Sequence, residues 1–514
     1  MLCFPKNLCI LKNSKLICLF AHYNASKQVE PYVLTYLQHL ESIGFAILFI
    51  SGAIDHEQKS HLQEKIKAIS IYERENKDGD AGTLKWALGN NLISGDTDYL
   101  LLTNDSLFGP VFPLAPIVAA MLSKPGIDFW GLTDSYQDGW HIESYFLCLS
   151  KKVFTSDVFK KVISHDHSKL TKQPFAQALS NAGFKGEAYI PCSQLSPDIE
   201  VPEARNPTHF YWDRLIEDFH FPFVRKELIL QNPENIQTTD KLFTLIEKHT
   251  SYPVDNIKQS ISAYLASFDK PNAFHNRISV LCHLYYPGSI YFFLTRILAL
   301  KSPQTQFIFN LSALLSHNTF VVEMLRAYFP GAPILYTPNQ GRDIGGKMAL
   351  YDTLLKCGVE TDYTLVIHDK LSPHTPTGIE WREKLLKIIA PRELPYIFKK
   401  FQNKEVGIIG TEDMIKSEYN PDKDRFTCTS SDNIFYFIRK FNLQVTDYKF
   451  AAGTIFWIRT SILHDFFSVH SPLSVRKELE KGNKLDFDNG TNIHAWERLF
   501  SFIATSQGFK TVGI

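Results

Sequence analysis

Asp98-Tyr99-Leu100-Leu101-Leu102-Thr103-Asn104-Asp105 decides the fold, because it has a counterpart 264 residues on, Asp362-Tyr363-Thr364-Leu365-Val366-Ile367-His368-Asp369. Each is a short apolar run bounded by carboxylates, which reads as a strand that delivers an acid at its end. In open α/β sheets ligand crevices form at the C-terminal ends of parallel strands, so Asp105 and Asp369 stand where chemistry is expected.

Working outward, three further marks recur in the same order. A first strand, Leu16–Ala21 in the first half, is followed by His22-Tyr23, and its counterpart by His283 with Tyr285 and Tyr286. Next comes a polar turn opening a helix: Asn76-Lys77-Asp78-Gly79-Asp80-Ala81-Gly82, and Asn339-Gln340-Gly341-Arg342-Asp343-Ile344-Gly345. Last is a strand ending in Gly and acids: Phe129-Trp130-Gly131-Leu132-Thr133-Asp134, and Ile408-Ile409-Gly410-Thr411-Glu412-Asp413. His22 and His283 stand 261 residues apart, and Asp80 and Asp343 263. With the 264 of Asp105 and Asp369, three ordered pairs at a nearly fixed offset argue for duplication. Gly131 and Gly410 are 279 apart, which implies about fifteen extra residues after Asp369, in a stretch holding Ser372–Gly378, a loop by its Pro, Thr and Gly content.

Short β-branched runs alternate with longer amphipathic stretches such as Pro31–Ile43, the signature of parallel α/β architecture. The expected organisation is two tandem GT-A-like, Rossmann-like domains, 1–200 and 272–514. An aromatic, mainly helical connector over 201–271 would join them, through Asn206–Trp212, Pro222–Leu228 and Asn232-Pro233.

Composition narrows the function. Hydrophobic content of 44% and charged content of 21% are those of a folded chain, and 514 residues exceed one compact core. Lys+Arg and Asp+Glu balance at 54 each, leaving no basic surplus to neutralise a nucleic-acid backbone. The eight cysteines contain no Cys-x-x-Cys pair and no His partners at zinc spacing, so reduced, buried thiols are expected. The N-terminal stretch lacks the apolar core of a signal peptide, and no long uninterrupted apolar run follows, so a cytoplasmic protein is expected.

A strand ending in acid is how GT-A nucleotide-sugar transferases grip a diphosphate through a divalent cation, Mg2+ or Mn2+. The usual pair of acids is reduced here to Asn104-Asp105 and His368-Asp369, and such an Asp can equally cap a turn. Asp369 is the candidate metal ligand. The polar turns could offer helix N-terminal N–H groups to a phosphate, with Arg342 and Lys347 adding charge, or could be tight turns with the Asp as cap. Gly341 through Lys347 fits most of a phosphate-loop pattern, but Met348 stands where a hydroxyl should hold magnesium, which speaks against an ATPase. Near the C-terminus His494 and Glu497 lie three apart on one helix face, where they could serve a proton transfer or simply pack the last helix.

Several stretches together resemble the rhamnan synthesis protein F family: Asn104–Gly109, Phe129–Thr133, Ser144–Phe146, Pro222–Pro233, Asn339–Gly346, Ala452–Arg459 and His494–Arg498. The resemblance runs from about residue 14 to 508. It implies a sugar-nucleotide-dependent, hexosyltransferase-type enzyme, a rhamnosyltransferase, of rhamnose-containing O-antigen or capsular polysaccharide synthesis. Its donor would be a nucleotide-sugar and its acceptor a lipid-linked or growing polysaccharide at the inner face of the cytoplasmic membrane, with other assembly enzymes as partners. The second domain is richer in polar candidates and is expected to be catalytic. Asp369, His494 and Glu497 would carry chemistry, and Asn339, Arg342, Asp343, Gly345, His368 and Lys370 would hold the donor. First-domain equivalents are His22, Asn76, Asp80, Asn104 and Asp105. The rival expectation is a non-catalytic glycan-binding or assembly protein with degenerate transferase domains.

Overall fold

The computed structural model describes residues 15–75, 78–137, 139–164, 175–195, 206–234, 236, 238–358, 360–369, 378–484 and 490–514. The chain is mixed α/β and divides into two units, Met1–Ala263 and Tyr264–Ile514. The division falls inside the helix Asp255–Ala266, so most of the stretch expected to be a separate connector belongs to the first unit. Its chain is tied in by Val224–Arg225, which pairs antiparallel with Leu107–Phe108.

The first unit is built on seven strands: β1 (Leu16–His22), β2 (Phe45–Ser51), β3 (Ile69–Glu73), β4 (Tyr99–Asn104), β5 (Phe129–Ser135), β6 (Phe146–Ser150) and β7 (Gly186–Ile190). They lie in the order β3-β2-β1-β4-β6-β5-β7, with the short strand His141–Ile142 added on the end of β5. β6 runs antiparallel to both neighbours and His141–Ile142 antiparallel to β5; the other pairs are parallel. Helix α1 (Pro31–Ile43) starts on a proline, buries Tyr32, Val33, Tyr36, Leu37, Leu40 and Ile43 at helical spacing, and stops at Gly44, φ 110°. Tyr36 meets Phe20 of β1 edge-on at 5.4 Å, so α1 covers the Phe20 face of the sheet. Helix α2 (Gly79–Gly89) opens from the polar turn after β3.

The second unit repeats this order with β8 (Ile278–Leu284), β9 (Thr305–Leu311), β10 (Ile334–Tyr336), β11 (Tyr363–His368), β12 (Val406–Gly410), β13 (Phe456–Arg459) and β14 (Lys510–Gly513). The order is β10-β9-β8-β11-β13-β12-β14, and β13 alone runs antiparallel to its neighbours. Helix α3 (Arg342–Cys357) follows β10 and ends at Gly358, φ 61°. Helix α4 (Asn492–Ser506) is buried almost all round, and its Trp496 is fully enclosed among Phe437, Phe441, Phe466 and Phe500. A helix buried on every side fixes its register, and with it the polar groups at its start.

Candidate functional site

The site of the second unit starts from one carboxylate. Asp369 follows β11 directly and is 2% exposed. Its backbone N–H donates to His283 O at 3.1 Å, continuing the ladder with β8. Both its oxygens accept from Tyr285 N–H at 2.9 Å, and Oδ2 also accepts from Tyr286 N–H at 2.6 Å. The acid therefore folds the loop after β8 around itself. Burial pushes its carboxyl up to about 7; the N–H groups oppose that rise and neighbouring Asp343 adds to it.

The start of α3 is shaped by backbone constraint. Gly341 has φ 79° and Arg342, without a glycine's freedom, φ 50°. A Cβ on residue 345 would stand 1.7 Å from Gln340 O, and one on residue 346 would stand 2.4 Å from the His283 ring. Gly345 is thus required by the turn itself, and Gly346 by the histidine. One turn on, Lys347 is fully buried, and its ammonium donates to Asp343 Oδ2 at 2.8 Å, to His368 Nδ1 at 3.1 Å and to Thr454 Oγ1. Thr454 in turn donates to Asp343 Oδ2 at 2.7 Å. An ammonium only donates, so His368 Nδ1 is the acceptor and its ring N–H sits on Nε2. Lys347 and Asp343 are accordingly an internal ion pair; the lysine is not directed at a phosphate.

A pocket opens here, lined by His283, Tyr285, Tyr286, Arg342, Asp343, His368, Asp369 and Asn483, with about 400 Å³ of space including its mouth. Four expected residues, Arg342, Asp343, His368 and Asp369, converge in it. Arg342 Nη1 makes a long contact of 3.5 Å with Lys484 O. Burial drives His283 down to about 4, so it is neutral near pH 7, and Tyr286 is pushed up to about 12 by burial and then Asp369.

Other expected residues stand apart. Asn339 donates to Tyr285 Oη at 3.3 Å and to Asn483 Oδ1 at 2.9 Å, behind the lining. His494 and Glu497 do not line the pocket. His494 Nδ1 pairs with the capping hydroxyl of Thr491 at 2.6 Å. Glu497 accepts from Gly453 N–H at 2.6 Å and from Arg498 at 2.6 Å. It therefore pins the turn where Gly453 and Thr454 both have positive φ, and so sets the hydroxyl that meets Asp343. Sequence reading missed Thr454 and Asn483, which come from distant segments; Lys370 and Asn76 lie outside the described residues.

The first unit places Asp105 where the second has Asp369: Asp105 N–H donates to Ala21 O at 3.3 Å, and its carboxylate accepts from Tyr23 N–H at 3.2 Å. Burial raises this carboxyl to about 6, against the pull of Lys226. Asp80 accepts from Asn104 Nδ2, as Asp343 stands 3.8 Å from His368. The histidine repeat, however, is a mismatch. Ala21 pairs with Asn104 and His283 with His368, so the counterpart of His283 is Ala21, and His22 lies one residue on. Successive strand residues face opposite sides, and His22 turns toward Ser51 at 2.9 Å and the ring of Phe49.

A divalent cation fits these residues poorly. Among the described residues no three His, Cys, Asp or Glu are grouped to hold one. Asp369 spends both oxygens on backbone N–H groups, and Asp343 is neutralised by Lys347.

Fold and site together define an α/β protein with a polar crevice at the C-terminal ends of parallel strands. Residues 47–509 match the family described as rhamnan synthesis protein F, and the chain belongs to that family, which ties it to polysaccharide synthesis. It is similar to virulence protein VirA of Vibrio anguillarum, at 26% identity over 258 residues, 43% of this chain and 82% of VirA. It is also 28% identical to the uncharacterized protein WxcX of Xanthomonas campestris over 180 residues, 34% of this chain and 24% of WxcX. Among solved structures, the glycosyltransferase GlyE of Streptococcus pneumoniae covers 72% of this chain and 91% of its own at 11% identity and TM-score 0.30. The mannosyltransferase PcManGT of Pyrobaculum calidifontis, in complex with GDP-Man and Mn2+, covers 49% of this chain and 81% of its own at 11% identity and TM-score 0.24. Superpositions this loose carry no argument about activity.

Proposed function

We propose that the protein is a glycosyltransferase of polysaccharide synthesis, with a GT-A-like second unit as its catalytic domain. The reaction is transfer of a hexosyl residue, rhamnosyl by the family's description, from a nucleotide-sugar to a growing or lipid-linked polysaccharide of the O-antigen or capsular kind. The observation that carries this reading is the convergence of Arg342, His368 and Asp369 in one pocket at the ends of β8 and β11. Arg342 faces the leaving diphosphate with donors to spare. The acceptor hydroxyl attacks the anomeric carbon, the bond to the diphosphate breaks, and the hydroxyl proton passes to Asp369. A carboxyl titrating at about 7 is suited to that task, and its Oδ1, which accepts only from Tyr285 N–H, keeps a second lone pair. Nothing in this scheme is routed through a metal.

Among the described residues no helix is long and apolar enough to cross a membrane, so we place any attachment to a lipid-linked acceptor at the membrane surface. The test is a scan of nucleotide-sugars for release of nucleoside diphosphate, with and without Mn2+ and a rhamnosyl-lipid acceptor. Release from no donor under any of these conditions would overturn the reading.

A further inference from the structure

The chain from Val469 to Lys484 runs along the rim of the second unit's pocket, and it has two faces. Inward, Val475 and Leu479 are buried, and Arg476 donates to Gly345 O at 3.1 Å and to Pro338 O at 2.9 Å. Gly341 N–H donates to Glu480 O at 2.7 Å, and Asn483 lines the pocket itself. The segment is therefore fixed to the start of α3. Outward it carries apolar groups into water. Val469, at the end of the helix Thr460–Val469, is 76% exposed, and Leu473, in the helix Pro472–Lys477, is exposed too. Two half-exposed tyrosines stand on segments tied to it. Lys440 lies over the Tyr436 ring and pairs with Glu478, and Tyr336 is two residues before the Pro338 that Arg476 holds. Among these groups stand cations: Arg439, Lys440, Lys477, Lys481 and Lys484 are all exposed. The acids of the segment are engaged, Glu478 by Lys440 and Glu480 by the N–H groups of Asn492 and Ile493 that open α4. Asp486 and Asp488, next along the chain, lie outside the described residues. Single exposed apolar side chains are ordinary; four on linked segments at one pocket rim, with five cations, are not.

We infer that this rim is a membrane-contact surface, which seats the second unit on an anionic lipid bilayer beside the mouth of its pocket. The inference rests on the lipid-linked acceptor of the reading above and adds which residues meet the lipid. The mix of side chains selects a bilayer over a protein partner. Protein interfaces are depleted in lysine, whereas a headgroup layer takes all three kinds of group found here. Ammonium groups meet lipid phosphates, tyrosine rings sit at headgroup depth, and short aliphatic side chains reach just beneath. A chain with no net charge has no overall attraction to anionic lipid, so a local cluster must supply it. Arg476 and Glu480 tie the same segment to the start of α3, so a bilayer held by Val469 and Leu473 lies at a set distance from Arg342 and Asp343. That is where an acceptor anchored by its lipid presents its sugar.

The test is flotation of the full chain with vesicles of phosphatidylcholine containing about 30% phosphatidylglycerol, against phosphatidylcholine alone. The chain should float with the anionic vesicles and bind the neutral ones about tenfold less, and about 0.5 M salt should remove most of that difference. Val469→Glu combined with Leu473→Glu should cut binding to the anionic vesicles about tenfold at unchanged melting temperature, since both side chains are exposed. Neither residue lines the pocket, so turnover of a rhamnosyl-lipid acceptor should fall in vesicles and hold in detergent solution. Lys477→Glu combined with Lys481→Glu repeats the test through charge if the first pair fails to fold. Undiminished flotation of a folded double variant, or equal binding to the two kinds of vesicle, would overturn the inference. So would a wild-type chain that ignores vesicles and sediments as a dimer broken by Val469→Glu with Leu473→Glu, which gives the surface to a second copy. Nucleoside diphosphate release, followed in parallel, keeps the two readings apart: flotation without release from any donor sinks only the transferase, and release without flotation sinks only the membrane surface.

Discussion

The two units share a strand order and differ in a handful of side chains at the same crevice. In the second, Arg342, Lys347, His283 and His368 surround the acid; in the first, Gly79, Leu84, Ala21 and Asn104 hold the corresponding positions. Even the packing is traded: Gly346 leaves room for His283, whereas the matching pair is the larger Thr83 and the smaller Ala21. The sheet decides where a ligand can sit, and these few exchanges decide what that ligand is. One crevice is polar with Arg342 among its lining; the other is largely apolar, and among the described residues no cation lines it.

The largest break in this comparison is Lys347→Leu, which gives the second unit the first unit's residue. Asp343 would lose its buried ammonium, and His368 and Thr454 a shared partner. Removing one member of a buried pair costs about 3–5 kcal/mol, so urea denaturation should show a loss of that size together with loss of transfer. A change under about 1 kcal/mol would mean that the network contributes little and that the units are more alike than their charges suggest.

Next comes Asp369→Asn. Removing a general base costs about 10²–10⁴-fold in rate, and that loss is expected in transfer by the purified variant. Stability should fall as well, by about 1–3 kcal/mol, because the new amide N–H would face the Tyr285 and Tyr286 donors. Its pH dependence is a separate check. The acid titrates at about 7 folded and near its ordinary 3.8 unfolded, so between those values the folded chain binds more protons. The Asp369 contribution to stability therefore falls as pH rises from about 4 to about 7 and then levels off, against the opposite slope that His283, held down to about 4, adds over much of that range. The asparagine variant should lack the Asp369 slope in melting temperature.

Much of this was legible in the chain. The Asp98–Asp105 and Asp362–Asp369 runs mark β4 and β11 and place both acids at strand ends, because a buried strand leaves an unmistakable apolar run. The His22–His283 match failed by one residue. Loop spacing conserves neighbourhood, but a strand turns alternate residues to opposite faces, and a near-constant offset cannot see that. Lys347 looked like a free cation because burial is a tertiary fact. Glu497 looked catalytic because helix spacing shows a shared face and not what that face meets. Asn483 carries no local signal, and Thr454, though inside the Ala452–Arg459 stretch, shows nothing there of its contact with Asp343, since the fold brings both in from far along the sequence.

Arg342 sharpens the comparison in activity and stability at once. The first unit has Gly79 at φ 60° where the second holds Arg342 at φ 50°. Keeping a side chain in that conformation costs about 1 kcal/mol, which argues that the guanidinium is needed. Arg342→Gly should therefore raise stability slightly in denaturant melts while slowing transfer about 10²–10³-fold, the usual loss when a charge-stabilising donor is removed. Unchanged turnover would remove the arginine from the leaving-group side of the pocket.

The smallest effect is expected at Asp105→Asn. Its carboxylate accepts from Tyr23 N–H at 3.2 Å, while Asp369 meets two N–H groups through three contacts, so an asparagine oxygen can keep what Asp105 makes. The stability cost should stay within about 1 kcal/mol. The acid titrates at about 6, so the fall of stability with rising pH should run from about 4 to about 6, a narrower window than for Asp369. Transfer should hold within about threefold, because the proposed chemistry sits at Asp369 and Asp105 does not line the first unit's crevice. Rates and melting temperatures of the two variants, measured side by side, decide the matter. If Asp105→Asn abolishes transfer with its fold intact while Asp369→Asn retains it, the chemistry belongs to the first unit, and Asp105 takes over the part assigned here to Asp369.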